Sequence, residues 1–324
     1  MNTKQPYERP YIKKLEAGMP NKFGLKTEYY HMADIEGISV KKLIAEFGSP
    51  LFVISENILR KNYKHLYLSF STRYPNVQLA WSYKTNYLSA VCNTFHQEGS
   101  WAEVVSGFEY QKAIENSVPG NKIIFNGPDK TENDLILAIK NNSLIHIDHL
   151  DELYTINKIC KEGKIKARVA IRVNMDTGIY PMWDRFGFNY ETGQAWDALN
   201  KIMLSEHLQL EGLHCHIGTF MLSTNAYSIA VSKLIDLAKG IRNKYNHKIK
   251  YIDIGGGFAS KNTLKGSYLT GYDYNPSFDD YAEAITSTIY NNYHPDELPL
   301  LILETGRALV DDAAYLLGTV IANK

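Results

Sequence analysis

The sequence predicts an α/β protein built as a (β/α)8 barrel, in which eight parallel strands alternate with helices. Three observations support this fold class. Short apolar runs alternate with segments of helical periodicity from about residue 78 onward, and eight such runs occur. Eight strand–helix units also match the usual barrel length of about 250 residues. A doubly wound open sheet is the structural alternative, but it seldom contains eight similar parallel units.

This pattern divides the chain into three parts. Residues 1–77 fall outside the alternation and are predicted to be an N-terminal appendage, with a helix-like segment in VKKLIAEFG and a strand in PLFVIS. The barrel is expected over 78–313, and the strand-like segment 314–324 ends the chain with no predicted strand beside it. The eight predicted barrel strands are, in order, QLAWSYK, WAEVVS, KIIFNGP, SLIHIDH, ARVAIRVN, LEGLHCHIG, KYIDIGGG and LPLLILETGR.

Helices are expected between these strands wherever apolar residues recur at helical spacing. Clear examples are 131–141, 151–161 and 224–243. Thr131 and Asp151 stand at the start of two of these segments and are the predicted N-caps, because their side-chain oxygens can accept hydrogen bonds from free backbone N–H groups.

Composition and charge exclude several classes of function. Lys+Arg 35 against Asp+Glu 35 leaves no net charge, which argues against a role on nucleic acid or at a membrane surface. The three cysteines form no CxxC pair, so neither a disulfide framework nor a thiolate zinc site is expected. The N-terminus lacks an apolar signal core and no apolar run is long enough to span a membrane, which predicts a cytoplasmic protein.

Nearly every predicted strand ends in a polar or charged residue. In barrels of this kind, the C-terminal strand ends form the active-site rim. The residues expected on that rim, in strand order, are Lys84, Glu103, Asn126, Asp148, Arg172 with Asn174, His214 with His216, Gly255 to Gly257, and Glu304 with Arg307.

Two turns on this rim are suited to anions. The glycines at 255–257 let the backbone approach a phosphate closely, and the loops after the seventh and eighth strands are the usual phosphate site of this architecture. A simple tight turn is the alternative. At the other turn, Glu304 and Arg307 form either an ion pair or a divided site, in which the carboxylate faces a cation and the guanidinium faces an anion.

The histidines and the lysine each have two interpretations. His214 and His216 alternate along a strand and face one side, so they are either metal ligands, with Asp253 and Glu304 as further candidates, or one packed and one functional histidine.

Lys84 either extends to solvent from its strand end or is a desolvated amine with a lowered pKa, able to attack an aldehyde. A lysine, a phosphate cradle, a flat imidazole and a carboxylate are together what pyridoxal 5'-phosphate (PLP) requires.

Six motifs resemble the barrel-type (fold-type III) PLP-dependent amino-acid decarboxylases, the family of the diaminopimelate, ornithine and arginine decarboxylases. They occur in the order and spacing of that family, and the likeness is greatest to the diaminopimelate type. The resemblance implies α-decarboxylation of a basic or diamino amino acid, with meso-diaminopimelate to lysine as the expected reaction. The motifs are YKTN at 83–86, AEVVSGFE at 102–109, RFGF at 185–188, HCHIGT at 214–219, DIGGGF at 253–258 and ETGR at 304–307.

The resemblance also implies a role for individual residues. Lys84 is expected to bind the cofactor covalently, His216 to stack on its ring and Glu304 to contact the pyridine nitrogen. Thr219 stands where the family usually has a phosphate-binding serine, and Arg307 is expected to contact the substrate as well. Polar contacts near the cofactor are expected from Glu103, where aspartate is commoner in the family, and from Arg172. The remaining cofactor-binding positions are Gly256, Gly257, Thr305 and Gly306, and no metal ligand is expected.

Members of this family continue into a β-domain that completes the site of a partner subunit. We therefore expect residues 1–77 to belong to that second domain and 314–324 to begin its truncated C-terminal part. The chain alone is expected to be inactive or incomplete, and the complete protein to be a homodimer. The alternatives are a non-catalytic PLP-binding barrel, a decarboxylase of an ornithine- or arginine-like substrate, and a metal hydrolase using His214 and His216.

Overall fold

The computed structural model of the chain describes residues 32–262 and 271–322. Residues 1–31 of the predicted appendage and 323–324 of the predicted C-terminal segment therefore lie outside the described residues. The strands are β1 (Asp34–Ile35), β2 (Ile38–Ser39), β3 (Leu51–Ile54), β4 (Val77–Ser82), β5 (Trp101–Val104), β6 (Ile123–Phe125), β7 (Leu144–Ile147), β8 (Ala167–Asn174), β9 (Phe188–Asn189), β10 (Leu208–Cys215), β11 (Tyr251–Asp253), β12 (Leu300–Leu303) and β13 (Ala314–Leu317). The α-helices are α1 (Val40–Phe47), α2 (Glu56–Ser71), α3 (Ser89–Gln97), α4 (Gly107–Glu115), α5 (Glu132–Lys140), α6 (Leu150–Gly163), α7 (Gln194–Met203), α8 (Thr224–Tyr245), α9 (Gly271–Tyr274), α10 (Phe278–Tyr290) and α11 (Arg307–Val310).

Eight parallel strands close into a barrel. The hydrogen-bonded order is β4, β5, β6, β7, β8, β10, β11 and β12, and β12 pairs with β4 to complete the ring. The predicted fold class is confirmed, and each of the eight apolar runs overlaps one of these strands. The short β9 extends the sheet beside β8.

The barrel interior changes from apolar to polar along the strand direction. A small apolar layer inside the barrel consists of Ala80, Ile124, Leu144, Ala170, Tyr251 and Ile302. Because side chains alternate across a strand, the residue two positions further on faces the same interior. Those residues are all polar or charged and all buried: Ser82, Asn126, His146, Arg172, Asp253 and Glu304. We call these six residues the polar layer; it forms the floor beneath the C-terminal rim.

The helices form the outer layer, and their caps follow local sequence. Helix α5 begins with the predicted cap: the backbone N–H of Asp134 donates to Thr131 Oγ1 at 3.2 Å, within a capping box. The prediction for Asp151 is wrong, because α6 begins two residues earlier than predicted and has His149 as its N-cap. There the backbone N–H of Glu152 donates to His149 Nδ1 at 3.2 Å, and Asp151 lies in the first turn.

The chain segments before and after the barrel meet in a two-stranded antiparallel sheet. Strand β13 pairs with β3, so the expectation that the C-terminal strand has no neighbour is wrong. The outer face of this sheet is apolar and exposed, with Phe52 at 76% and Leu316 at 64%. Helix α2, although it lies within 1–77, packs against α10 and buries Leu66 and Phe70 in the main core.

None of the helices within residues 32–262 and 271–322 is both long enough and apolar enough to cross a membrane.

Candidate active site

A cavity of about 520 Å³ opens at the C-terminal rim of the barrel. Its lining contains nine of the predicted site residues: Lys84, His216, Thr219, Gly256, Gly257, Glu304, Thr305, Gly306 and Arg307. The rest of the wall is Ser82, Thr85, Phe258, Ala308, Val310 and Asp311. The remaining two predicted residues, Glu103 and Arg172, lie behind this wall.

Lys84 faces a buried carboxylate. Its Nζ lies 3.3 and 3.4 Å from the two carboxylate oxygens of Glu103, which is fully buried and also accepts a hydrogen bond from Ser82 Oγ at 2.5 Å. Burial lowers the pKa of Lys84, but the carboxylates of Glu103 and Glu304 outweigh it, and the pKa is raised above its ordinary value. The predicted lowering is therefore wrong for the ligand-free protein, because the sequence did not show how close these carboxylates lie.

Glu304 is held from the interior side by Asn126. Asn126 Nδ2 donates to Glu304 Oε1 at 3.1 Å and to Oε2 at 3.2 Å. His214 Nε2 lies 3.3 Å from Glu304 Oε2, and burial together with the charge of Arg172 lowers the pKa of His214 well below its ordinary value. The carboxylate therefore has neutral neighbours on this side and faces the cavity on the other.

Asp253 adds a third buried carboxyl group to the floor. It accepts a hydrogen bond from the backbone N–H of Gly255 at 2.8 Å. Burial and the neighbouring Glu304 raise the pKa of Asp253 well above its ordinary value, which favours its protonated form. The sequence suggested Asp253 only as a metal ligand.

His214 and His216 have different surroundings. His216 lines the cavity and accepts a hydrogen bond from the backbone N–H of Gly256 at 3.3 Å, and burial lowers its pKa well below the ordinary value. The ligand atoms that lie within 4.8 Å of one another are those of His146, His214 and Glu304, without His216. The geometry therefore does not assemble the predicted alternative of a metal pair from His214 and His216.

The two glycine turns bring backbone close to backbone. A Cβ at Gly256 would lie 2.5 Å from the carbonyl oxygen of Glu304, and one at Gly257, where φ is +93°, would lie 2.2 Å from that of Gly218. At Gly306 a Cβ would lie 2.0 Å from Thr85 Oγ1. Positions 256 and 257 admit only glycine because the opposing atoms are backbone, whereas at 306 the opposing atom is a side-chain hydroxyl. All three positions border the cavity with backbone rather than side chains.

Arg307 and Glu304 do not form an ion pair with each other. Arg307 is exposed, lines the cavity and forms no ion pair among residues 32–262 and 271–322. The simple ion-pair interpretation of the ETGR turn is therefore wrong for the described residues. Arg172 instead lies in the polar layer, with its guanidinium 4.8 Å from the Phe186 ring centre and 3.9 Å from the Asp148 carboxylate.

The set of site residues predicted from the resemblance omits Asn126, His214 and Asp253. Asn126 contacts both Glu304 and His214, and the charge of Glu304 raises the pKa of Asp253. Their positions at strand ends placed the first two on the rim. What they contact could not be read from the sequence, because their partners lie on other strands.

Comparison with known proteins agrees with this geometry. Residues 60–311 match a family described as "Pyridoxal-dependent decarboxylase, pyridoxal binding domain". The diaminopimelate decarboxylases of Methanocaldococcus jannaschii and Aquifex aeolicus are similar at 32% and 30% identity, each over 88% of this chain. The chain spans 66% of the length of both relatives. A crystal structure of the M. jannaschii enzyme superposes with a TM-score of 0.80 at 31% identity, over 89% of this chain and 67% of that one.

The matched residues contain all eight barrel strands and the whole lining of the rim cavity, so fold, site and sequence point to the same group. The chain therefore belongs to the pyridoxal-dependent decarboxylases, and the match covers their pyridoxal-binding domain.

Proposed function

We propose that this chain is the PLP-binding barrel of an enzyme that decarboxylates meso-diaminopimelate to lysine. One observation carries the proposal: a lysine, two glycine turns and a buried glutamate converge on one cavity at the barrel rim. The names of the similar enzymes support the reaction. A structure of the M. jannaschii enzyme with L-lysine, which resembles this chain at 30% identity with a TM-score of 0.79, supports an amino-acid ligand of this type.

We assign the phosphate of PLP to the glycine turns. Backbone at Gly256, Gly257 and Gly306 borders the cavity without side chains, which suits close contact with an anion. The buried hydroxyl of Thr305 has no hydrogen-bond partner among the described residues, so it is free to donate there. Thr219 and the guanidinium of Arg307 lie on the same wall and are the further donors.

We assign the ring of PLP to the space between Lys84, His216 and Glu304. Neutral His216 offers a flat face for stacking, and the carboxylate of Glu304 is the acceptor for a protonated pyridine nitrogen. Bound PLP supplies an electron-withdrawing ring that accepts the electron pair left when the substrate loses its carboxyl group as CO2. A carboxylate at the ring nitrogen favours the charged ring and so favours this chemistry.

Lys84 must lose a proton before its amine can bond to the aldehyde of PLP. The carboxylate of Glu103 lies 3.3 Å from Nζ, and burial raises the pKa of Glu103. Glu103 is therefore a better proton acceptor than an exposed glutamate, and we propose that it takes the proton from Lys84. Arg172, in the polar layer behind, opposes the charged form of Lys84 and assists this transfer.

We further propose a second structural unit built on the β3–β13 sheet. Its exposed apolar face, which includes Phe52 and Leu316, suits burial by more of the same β-rich domain. Since α2 packs on the barrel, we assign residues 32–55 to this unit and place α2 with the barrel. Three buried free cysteines are consistent with the cytoplasmic location that we propose, and a homodimer is the expected assembly.

A substrate panel tests the proposed function. The protein, supplied with PLP, is assayed for CO2 release from meso-diaminopimelate, ornithine, arginine and lysine. We expect release from meso-diaminopimelate above all others, and none from the Lys84→Ala variant. PLP binding without release from any amino acid would support a non-catalytic binding barrel instead, and preference for ornithine or arginine would reassign the substrate.

A further inference from the structure

Asn126 lies in the polar layer and contacts the carboxylate of Glu304 directly. Its Nδ2 donates to both carboxylate oxygens, at 3.1 and 3.2 Å. The residue is 3% exposed, so bulk water does not compete for these hydrogen bonds. The backbone holds it in place as well, because its N–H donates to the Val104 carbonyl at 2.8 Å.

The observed orientation of the Asn126 amide is the one that suits an ionised Glu304. A flipped amide would place Oδ1 against the carboxylate of Glu304, acceptor against acceptor. In the observed orientation Nδ2 also lies 3.3 Å from His214 Nε2. His214 is neutral, since burial and nearby cations lower its pKa. Its Nε2 lies equally close to Glu304 Oε2, at 3.3 Å, so the tautomer decides whether Nε2 accepts from Asn126 or donates to Glu304.

This arrangement costs stability. Asn126 Oδ1 and His214 Nδ1 are buried and have no hydrogen-bond partner among the described residues. Two apolar side chains would fill the same space without unpaired polar atoms. A costly polar pair in contact with a functional carboxylate indicates a functional role rather than a contribution to folding.

A donor directed at a carboxylate favours its charged form. We propose that Asn126 is a positioning residue that keeps Glu304 ionised, so that the proton shared with bound PLP resides on the pyridine nitrogen. The inference rests on the PLP site proposed above. Without this donor, the buried Glu304 would hold the proton itself, and the ring would lose its positive charge and much of its electron-withdrawing power.

The test is NMR of PLP labelled with 15N at the pyridine nitrogen, bound to Asn126→Leu and to the smaller Asn126→Ala. The matched control is Asn174→Leu. Asn174 is also a buried asparagine at the rim, but its Nδ2 donates to the backbone carbonyls of Phe186 and Gly187, at 2.9 and 3.0 Å. Thermal unfolding and CO2 release are measured on the same preparations.

In both Asn126 variants we expect the 15N signal to move toward its unprotonated position. We also expect kcat to fall about tenfold or more with little change in KM, as for one lost hydrogen bond to a charged group. Asn174→Leu should keep the wild-type 15N signal even if it unfolds at lower temperature. A wild-type signal in folded, PLP-loaded Asn126 variants would overturn the inference. So would failure of both variants to fold while Asn174→Leu folds. Wild-type protein that gives no bound signal would instead refute the proposed PLP site itself.

Discussion

Lys130 and Glu152 form a buried ion pair whose disruption should destabilise the barrel measurably. The side chains are 0% and 3% exposed, and Nζ lies 2.7 Å from the carboxylate. Lys130 Nζ also donates to the carbonyls of Gly127 at 2.6 Å and His146 at 3.0 Å. The pair therefore ties the loop that follows Asn126 to the strand that carries His146.

Lys130→Met would leave the carboxylate of Glu152 buried without its cation. Removing one partner of such a pair costs about 3–5 kcal/mol, since an uncompensated charge remains. For a chain of 324 residues, the unfolding entropy is roughly 0.7 kcal/mol/K at the midpoint, so Tm should fall by about 4–7 °C. The double variant Lys130→Met/Glu152→Leu removes both charges and should recover more than half of this loss.

Thermal unfolding monitored by circular dichroism measures these changes. The matched control is Lys233→Met, because Lys233 and Glu191 form an ion pair whose side chains are 23% and 37% exposed. Exposed pairs contribute little, so its Tm should change by less than about 2 °C. A double variant less stable than Lys130→Met, or a single variant no worse than the control, would refute the argument from burial.

Further predictions concern the acidic and basic groups of the site. Lys84→Ala should abolish attachment of PLP trapped by borohydride, as located by mass spectrometry, while circular dichroism shows an intact fold; trapping at another lysine would contradict the assignment. Glu304→Gln should keep PLP bound but lower the rate of CO2 release about a hundredfold, the effect of losing one preorganised electrostatic contact, and an unchanged rate would exclude the role. Since the pKa of Lys84 is raised in the ligand-free protein, the rate of PLP attachment should increase with pH well above neutrality. Glu103→Gln should shift that stopped-flow profile to lower pH, and an unshifted profile would show that Glu103 does not control the amine. The pKa of Asp253 is raised on folding. As pH rises above the pKa that this carboxyl group has in the unfolded chain, its ionisation therefore increasingly favours unfolding. Asp253→Asn should therefore match wild-type Tm at low pH and equal or exceed it at neutral pH; a lower Tm at neutral pH would show that the group is ionised.

The sequence was informative where one segment determines its own structure. The eight strands are near-continuous apolar runs ending in polar residues, because a barrel strand is buried on both faces until it reaches the rim. The glycines at 256 and 257 mark a turn in which a Cβ would meet backbone, and Gly306 marks one in which it would meet the Thr85 hydroxyl. Nine of the eleven predicted site residues consequently line one cavity.

Properties that depend on neighbouring strands could not be predicted in this way. The pKa of Lys84 follows from Glu103 on β5 and Glu304 after β12, and its sign depends on distances that the sequence does not contain. The pairing of β3 with β13 joins opposite ends of the described chain. The cap of α6 was misassigned for a smaller reason: His149 and Asp151 both offer acceptors, and only the geometry selects His149.

The charges of the polar layer explain why a barrel tolerates so many buried acids. Three carboxyl groups in or beside this layer are buried, those of Glu103, Asp253 and Glu304, and burial together with the neighbouring Glu304 favours the protonated form of Asp253. In the ligand-free protein Lys84 is the cation that both Glu103 and Glu304 attract. If PLP binds as proposed, its attachment would remove the ammonium group of Lys84, and a protonated pyridine nitrogen at Glu304 would supply a positive charge in its place. Folding therefore buries the Glu304 carboxylate, at an electrostatic cost, before the positive charge that it would stabilise is present. Preorganised stabilisation of a developing charge requires such an arrangement.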